Sequence, residues 1–494
     1  MSLPRIFAND FRLLHCVICP LLIVLLFFSI GCDVPRAVDS ATDKEQEEAT
    51  LQVDGPLRVV VLDDESLGNV LQREWRSISD YEIEVSHQTT KDFFSQLDTG
   101  KKRLDSDVVI FPCSLLGQLA EQRLLRPIVN DATTDAQYRN GEIFNLIRRR
   151  ETQWNRQPYA MSFGSPVLVL IRRTDMVPDA PETWKELGET IDELKKTLPK
   201  DVNPLMQPMS EGWPARLLVA RAASYLYDNN KLSSVFEYAS LKPRITSEAF
   251  VRAGKELALQ SQSVEQGGEF KERTPQSVLQ EFLDGNAAMA ITLLSSQTKA
   301  DSDTIDFPIA ISDLPGSRVR YVGSDDAPET VAASNESTDE VRRVTVHGLD
   351  GRLGAITRSA KNAALANIFL VWATGPEQSL ALCARSGHTA PFRLSHEAGA
   401  KNWVPSAITP EVAAQYLAIS KTALNRAAAM QFPRLPGQHR YVAELDDAVH
   451  RMFNGVSAKQ SLATAVETWN AISFELDLEK QKSSYRRSLG INAK

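Results

Sequence analysis

The residues best equipped to make and break bonds are thinly spread through this sequence. Its seven histidines form no HExxH pair, no serine sits in a G-x-S-x-G elbow, and no glycine-rich loop leads into Lys and then Ser or Thr. The spacings that set up a metal-activated water, a serine nucleophile or a phosphate cradle are therefore missing. His347, His388 and His439 stand near loops, where an imidazole is more often solvated than catalytic. The run Ser395-His396-Glu397 invites a triad reading but lacks a placed third partner. Five cysteines are present, and only Cys113 and Cys383 lie beyond the first 32 positions. Two thiols alone cannot build a metal cluster; they form either a disulfide or two buried free thiols, the second being the blander reading. No catalytic residue, no metal and no cofactor is expected.

Cys32 carries a different chemistry. Arg5 and Arg12 precede the apolar run from Cys16 to Ile30, and Gly31 and Cys32 follow where a cleavage site belongs, so residues 1–31 read as an export signal. At 15 residues, interrupted by Pro20, the run is short of the roughly 20 that a membrane-spanning helix needs; a retained anchor helix is the alternative. The tetrad Ser29-Ile30-Gly31-Cys32 resembles the bacterial lipobox, although Ser29 stands where Leu is usual. That resemblance makes Cys32 the lipidated N-terminus, and Asp33 after it resembles the signal for staying on the inner membrane. Residues 32–56 are acidic and contain no aromatic residue, which suits a solvated tether.

The elements that must position any site begin near Leu57. Apolar runs at 57–62, 81–85 and 107–111 alternate with helical spacing at Leu67, Val70, Leu71 and Trp75 and around Phe93, Phe94 and Leu97. Strand, helix, strand, helix, strand points to a parallel sheet. Ligands of such sheets lie beyond the carboxyl ends of the strands, here Asp63 to Glu65 and Phe111 to Ser114. A strand at 165–173, a helix starting at Glu182 or Thr183, a helix-turn-strand over 281–294 and a strand within 306–316 extend the α/β pattern. Residues 324–343 read as an exposed polar loop, and the chain from Ser359 onward as mostly helical. At 494 residues, 43% hydrophobic and 24% charged, two or more lobes are expected. The net charge of -8 argues against a nucleic-acid partner.

Several phrases in series resemble the extracellular solute-binding proteins of sugar-type ABC importers, the maltose-binding-protein group. They are DVVIFPCSLLGQLAEQRLLRPI (107–128), FGSPVLVLIRRTD with PETWKEL (163–187), DGNAAMAI (284–291), GAITRSAKNAALANIFLVWAT (354–374) and AELDDAVHRMFNGVSAKQSLATAVETWN (443–470). The resemblance implies the type II periplasmic-binding-protein fold, two α/β lobes joined by a hinge. Residues 57–162 and 346–400 would form the first lobe, and residues 163–345 and 401–494 the second. It implies a monomeric, lipid-anchored receptor on the periplasmic face of the inner membrane, handing a small polar solute, a sugar or a relative, to an ABC permease. By matching positions it places ligand contacts at Asp63, Asp64, Phe111, Ser114, Tyr159, Phe163, Glu211, Trp213, Thr292 and Ser295. Carboxylates accept hydrogen bonds from hydroxyls and an aromatic face packs on a pyranose. Leu293 to Ser296 stand where sugar binders often carry an aromatic residue. Competing readings are a solute-sensing or structural lipoprotein that has lost transport, and an exported hydrolase.

Overall fold

Leu57–Leu62 (β1) has a parallel neighbour on each side in a five-stranded sheet, as its run of β-branched valines leads one to expect. Asp64 then caps the helix Glu65–Ile78 (α1), its carboxylate accepting the Leu67 N–H at 3.2 Å, while Leu67, Leu71 and Trp75 face the core. Ile83–Gln88 (β2), Thr90–Asp98 (α2) and Val108–Pro112 (β3) complete the predicted β-α-β-α-β unit. Met161–Gly164 (β4) belongs to the same sheet, whereas Val169–Arg173 (β5) belongs to another, so the chain crosses between sheets over residues 165–168. In the computed structural model the described residues are 53–98, 103–128, 136–226, 235–262, 271–298, 305–321 and 335–491. The signal, lipidation and most of the tether assigned to residues 1–56 lie outside them.

Further along the chain, Thr183 caps Trp184–Thr197 (α3). The helices Trp213–Tyr225 (α4), Glu248–Gln262 (α5) and Pro275–Leu283 (α6) follow, and then the strands Met289–Thr292 (β6) and Ile309–Ser312 (β7). Strand β5 lies between β6 and β7, antiparallel to both. Ser317–Tyr321 (β8) pairs antiparallel with Asn335–Arg342 (β9). That pairing corrects part of the loop expected at 324–343. A ladder held by backbone hydrogen bonds needs no apolar alternation, so the polar run gave no strand signal.

Thr345–His347 (β10) leads back to the first sheet, where Arg352–Ile356 (β11) lies antiparallel between β3 and β4. The first sheet is therefore mixed: its N-terminal unit is parallel as expected, but β11 joins it after the strands of the second sheet and runs the opposite way. Ala363–Thr374 (α7), Pro410–Asn425 (α8), Ala429–Gln431 (β12, parallel to β10), Gln438–Phe453 (α9) and Ala458–Glu475 (α10) complete the main elements. One buried cluster packs α3, α4, α5, α9 and α10 around Trp184, Phe236, Tyr441 and Trp469. A second runs from β1, α1 and α7 through Phe392 to β5, α6 and Tyr416, joining the lobes by a continuous apolar seam.

Candidate cleft between the lobes

The candidate polar groups are positioned by the end of β1, the start of β11 and the start of α4. Asp63 adopts a left-handed backbone (φ 51°), and its carboxylate accepts the Thr90 N–H at 2.9 Å as well as the Thr90 hydroxyl. Asp64 receives the Ser386 hydroxyl and lies 3.6 Å from Nε of Arg352. Arg352, its side chain only 2% exposed, donates to the Asp63 carbonyl at 2.8 Å and to Asp350 Oδ1 at 3.1 Å. The other oxygen of Asp350 meets Nδ1 of half-exposed His388 at 2.9 Å. Burial alone would raise the Asp350 carboxyl; His388, Arg352 and Arg216 outweigh it and hold the pKa at about 2. Gly351 (φ 112°) makes this floor possible, since a Cβ there would lie 2.8 Å from the Gly164 carbonyl.

Helix α4 begins at Trp213 after a left-handed Gly212. Asp446 on α9 accepts the N–H groups of Gly212 and Ala215, the latter at 2.8 Å. Burial pushes its carboxyl up to about 6 even though those two N–H groups and Arg216 pull it down. One turn into α4, Arg216 donates from Nε to the Leu349 carbonyl at 2.8 Å. Its guanidinium carbon lies 5.1 Å from the Trp213 ring and 5.4 Å from the Phe432 ring. Burial lowers the Arg216 pKa against the opposing pull of Asp350, Asp446, Cys113 and Glu211.

A continuous line of contacts thus links Asp63 and Asp64 through Arg352, Asp350, Leu349 and Arg216 to Trp213. Glu211 is exposed just ahead of Trp213. The remaining expected contacts sit elsewhere. Phe111 is fully buried with Leu62, Phe93 and Leu116, and Tyr159 packs half-buried on that cluster. Ser114 is half-buried in the turn Cys113–Leu115. Phe163 is buried against Gly354, where a Cβ would approach it to 2.7 Å. Thr292 donates its hydroxyl to the Pro275 carbonyl at 2.8 Å, and buried Ser295 accepts the Gln297 N–H at 3.2 Å. The sequence reading did not single out Asp350, Arg352, Arg216 and Asp446. The one local signal was the pair of opposite charges flanking Gly351.

A second polar cluster lies at the chain crossings. Glu151, fully buried, accepts the Gly348 N–H at 3.0 Å and faces Nδ1 of His347 at 3.1 Å. Arg434 donates to the carbonyls of Glu151 (2.7 Å), Gln153 (3.1 Å) and Arg150 (3.2 Å) and to the Gln431 side chain at 3.1 Å. Cys113 directs its thiol to the Asp350 carbonyl at 3.0 Å, and burial pushes its pKa well above the ordinary range. Cys113 and Cys383 are both buried and free.

The histidine of the Ser395-His396-Glu397 run contacts Ser379, not Ser395. Its Nε2 lies 2.9 Å from the Ser379 hydroxyl, and its Nδ1 accepts the Phe392 N–H at 3.2 Å. Nε2 therefore carries the proton and donates. Burial, then Arg393, lowers the His396 pKa to about 3, and Glu397 pairs with Lys421 at 2.7 Å. Among the described residues no carboxylate orients this imidazole, and both members are buried. Among the described residues no group of three or more His, Cys, Asp or Glu is placed to hold a metal ion. None of their helices is long and apolar enough to cross a membrane.

Residues 77–410 match the family model described as bacterial extracellular solute-binding protein. No curated protein sequence matches the chain. Among solved structures, a solute-binding protein from Thermotoga lettingae TMO bound with alpha-D-tagatose superposes with a TM-score of 0.62 at 14% identity, covering 85% of this chain and 100% of the other. A solute-binding protein from Agrobacterium radiobacter K84 in complex with ribitol gives 0.61 at 16%, covering 85% and 98%. Maltose-bound MalE3 of T. maritima gives 0.59 at 14%, covering 84% and 99%. At these identities the likeness is one of fold, the two-lobed type II architecture expected from the sequence.

Proposed function

The chain belongs to the bacterial extracellular solute-binding protein family, and from that premise we propose that it captures a small polar solute, a sugar or a relative of one, between its lobes. The observation that carries this reading is the line of hydrogen-bonding groups from Asp64 through Asp350 to Arg216 and Trp213, contributed by both lobes and by the crossing between them. A solute touching both sides stabilises a closed form relative to an open one, which is the differential contact a hinge receptor needs. The receptor releases its solute unchanged to an ABC permease. It works as a monomer held at the periplasmic face of the inner membrane by acyl chains on Cys32, and it needs no cofactor, no metal and no nucleic acid.

The test is a melting screen of the full chain against maltose, ribitol, D-mannitol and D-tagatose. A ligand that binds only the folded state raises its stability by about 2.7 kcal/mol at a hundredfold excess over Kd. Product accumulating in proportion to protein would overturn the receptor reading. For the anchor, Cys32→Ala is expected to move the protein from the membrane to the soluble fraction, and unchanged membrane association would assign anchoring to the apolar segment instead.

A further inference from the structure

We infer that the solute is acidic, carrying a carboxylate that Arg216 grips; this inference rests on the receptor reading above. Most of the charges around the proposed cleft already have partners. Arg352 is shared between Asp64 and Asp350, and His388 takes the second oxygen of Asp350. Asp446 is occupied by two backbone N–H groups. Arg216 is different. Only its Nε has a partner, a neutral carbonyl, and among the described residues no carboxylate lies within salt-bridge distance and neither terminal nitrogen makes a hydrogen bond. Those two nitrogens are also absent from the buried, unpaired polar atoms, so solvent reaches them.

The geometry suits a planar anion. The Trp213 and Phe432 rings lie within cation-π range of the guanidinium, and the Leu349 carbonyl fixes its Nε edge. The fork is thus held before a ligand arrives, and a fixed guanidinium fork matches the two oxygens of a carboxylate. Arg216 is only partly exposed, so an anion there is attracted more strongly than by a charge in open water. Glu211 is exposed, and water and salt screen its repulsion. Asp350, Asp446 and Glu211 together would oppose a doubly charged phosphate more than a singly charged carboxylate. Among the described residues Arg221, on the same helix, also has no carboxylate within salt-bridge distance, but its unpaired nitrogens are sealed in the core.

The experiment uses the full chain and matched pairs that differ in the acid group: D-glucuronate with D-glucose, and D-gluconate with D-sorbitol, with glucose 6-phosphate as a separate arm. Binding is measured by calorimetry for the parent, Arg216→Met and Arg216→Lys. At least one acid is expected to bind about tenfold or more tightly than its neutral partner, the size of one charge-assisted hydrogen bond. Arg216→Met should remove that preference, and Arg216→Lys should restore only part of it. Melting without ligand checks that each variant is folded. A neutral member binding as well as its acid, a preference for the phosphate, or an acid preference that survives in Arg216→Met each overturns the inference while leaving the receptor reading intact. Silence from every acid overturns it too, and silence from the neutral sugars as well counts against the receptor reading itself.

Discussion

Two arginines, Arg434 and Arg216, mark two polar regions of this molecule that are built from similar residues and end in opposite conditions. At the chain crossings, Arg434 is 2% exposed and spends its terminal nitrogens on three carbonyls and one side-chain oxygen. In the proposed cleft, Arg216 is partly exposed and gives one hydrogen bond. A buried cation surrounded by backbone oxygens fixes the path of the chain, because those carbonyls need the donors as much as the donors need them. A cation held by rings at its faces and open at its tip leaves bonding capacity unspent. The first arrangement is a property of the fold, and the second points outward.

The largest test of that contrast is Arg434→Met. It keeps an apolar stem but strips donors from the carbonyls of Arg150, Glu151 and Gln153 and leaves Glu151 without the neighbouring positive charge. Breaking a buried charged network from one side costs about 3–5 kcal/mol, so a large fall in the urea midpoint is expected. Arg216→Met should shift that midpoint far less. Equal losses at the two sites would erase the distinction between them.

A second test uses acid. Asp446 has its folded pKa raised, by burial, from an ordinary 3.8 to about 6. The folded state then holds a proton that the unfolded chain releases, so the contribution to stability is complete below about 3.8 and is lost as pH rises through about 6. Asp350 has the opposite sign: its folded pKa of about 2 gives stability present above 3.8 and lost as pH falls through about 2. Between pH 4 and 6, Asp446 alone of these two contributes a slope, on the order of 2–3 kcal/mol in total. Asp446→Asn should flatten the fall in unfolding free energy over that window, and an unchanged profile would mean the carboxylate is better solvated than its surroundings suggest.

How much of this was legible in the sequence follows from range. Strand β1 and helix α1 are local features written in six to fourteen neighbouring residues, and they were read correctly; the cap at Asp64 was not, since that residue was taken only as a ligand contact. Strand β9 was not, because polar residues in a two-stranded ladder carry no burial pattern. Of the proposed line of contacts, the sequence reading named Trp213 and Asp64 but not the groups that join them. Arg216 reaches Leu349 across 133 positions and Arg352 reaches Asp63 across 289; only the folded chain brings such partners together, and no spacing rule records them. Lone charged residues in a sequence look solvated until their neighbours are known.

The smallest effect, and the one that most sharpens the comparison, comes from Trp213, judged against a tryptophan of the core. Trp213 is 8% exposed, starts α4 and presents a face to the Arg216 guanidinium. Trp469 is 2% exposed, donates Nε1 to the Tyr441 carbonyl at 2.9 Å and packs on Phe236 with ring centroids 4.8 Å apart. Truncating a core indole typically costs about 3–5 kcal/mol of folding free energy, so Trp469→Ala should lower the unfolding midpoint and leave ligand affinity in the surviving folded protein unchanged. Trp213 also touches the second-lobe core, so Trp213→Ala should lose some stability, but less. Its distinctive cost falls on binding, about 1–3 kcal/mol, because without the indole the guanidinium is free to swing and its fork is no longer set for the ligand. Affinity and midpoint measured on both variants separate the roles. If Trp213→Ala loses as much stability as Trp469→Ala while affinity stays at the parent value, the indole belongs to the core, and the cleft begins at Arg216 instead.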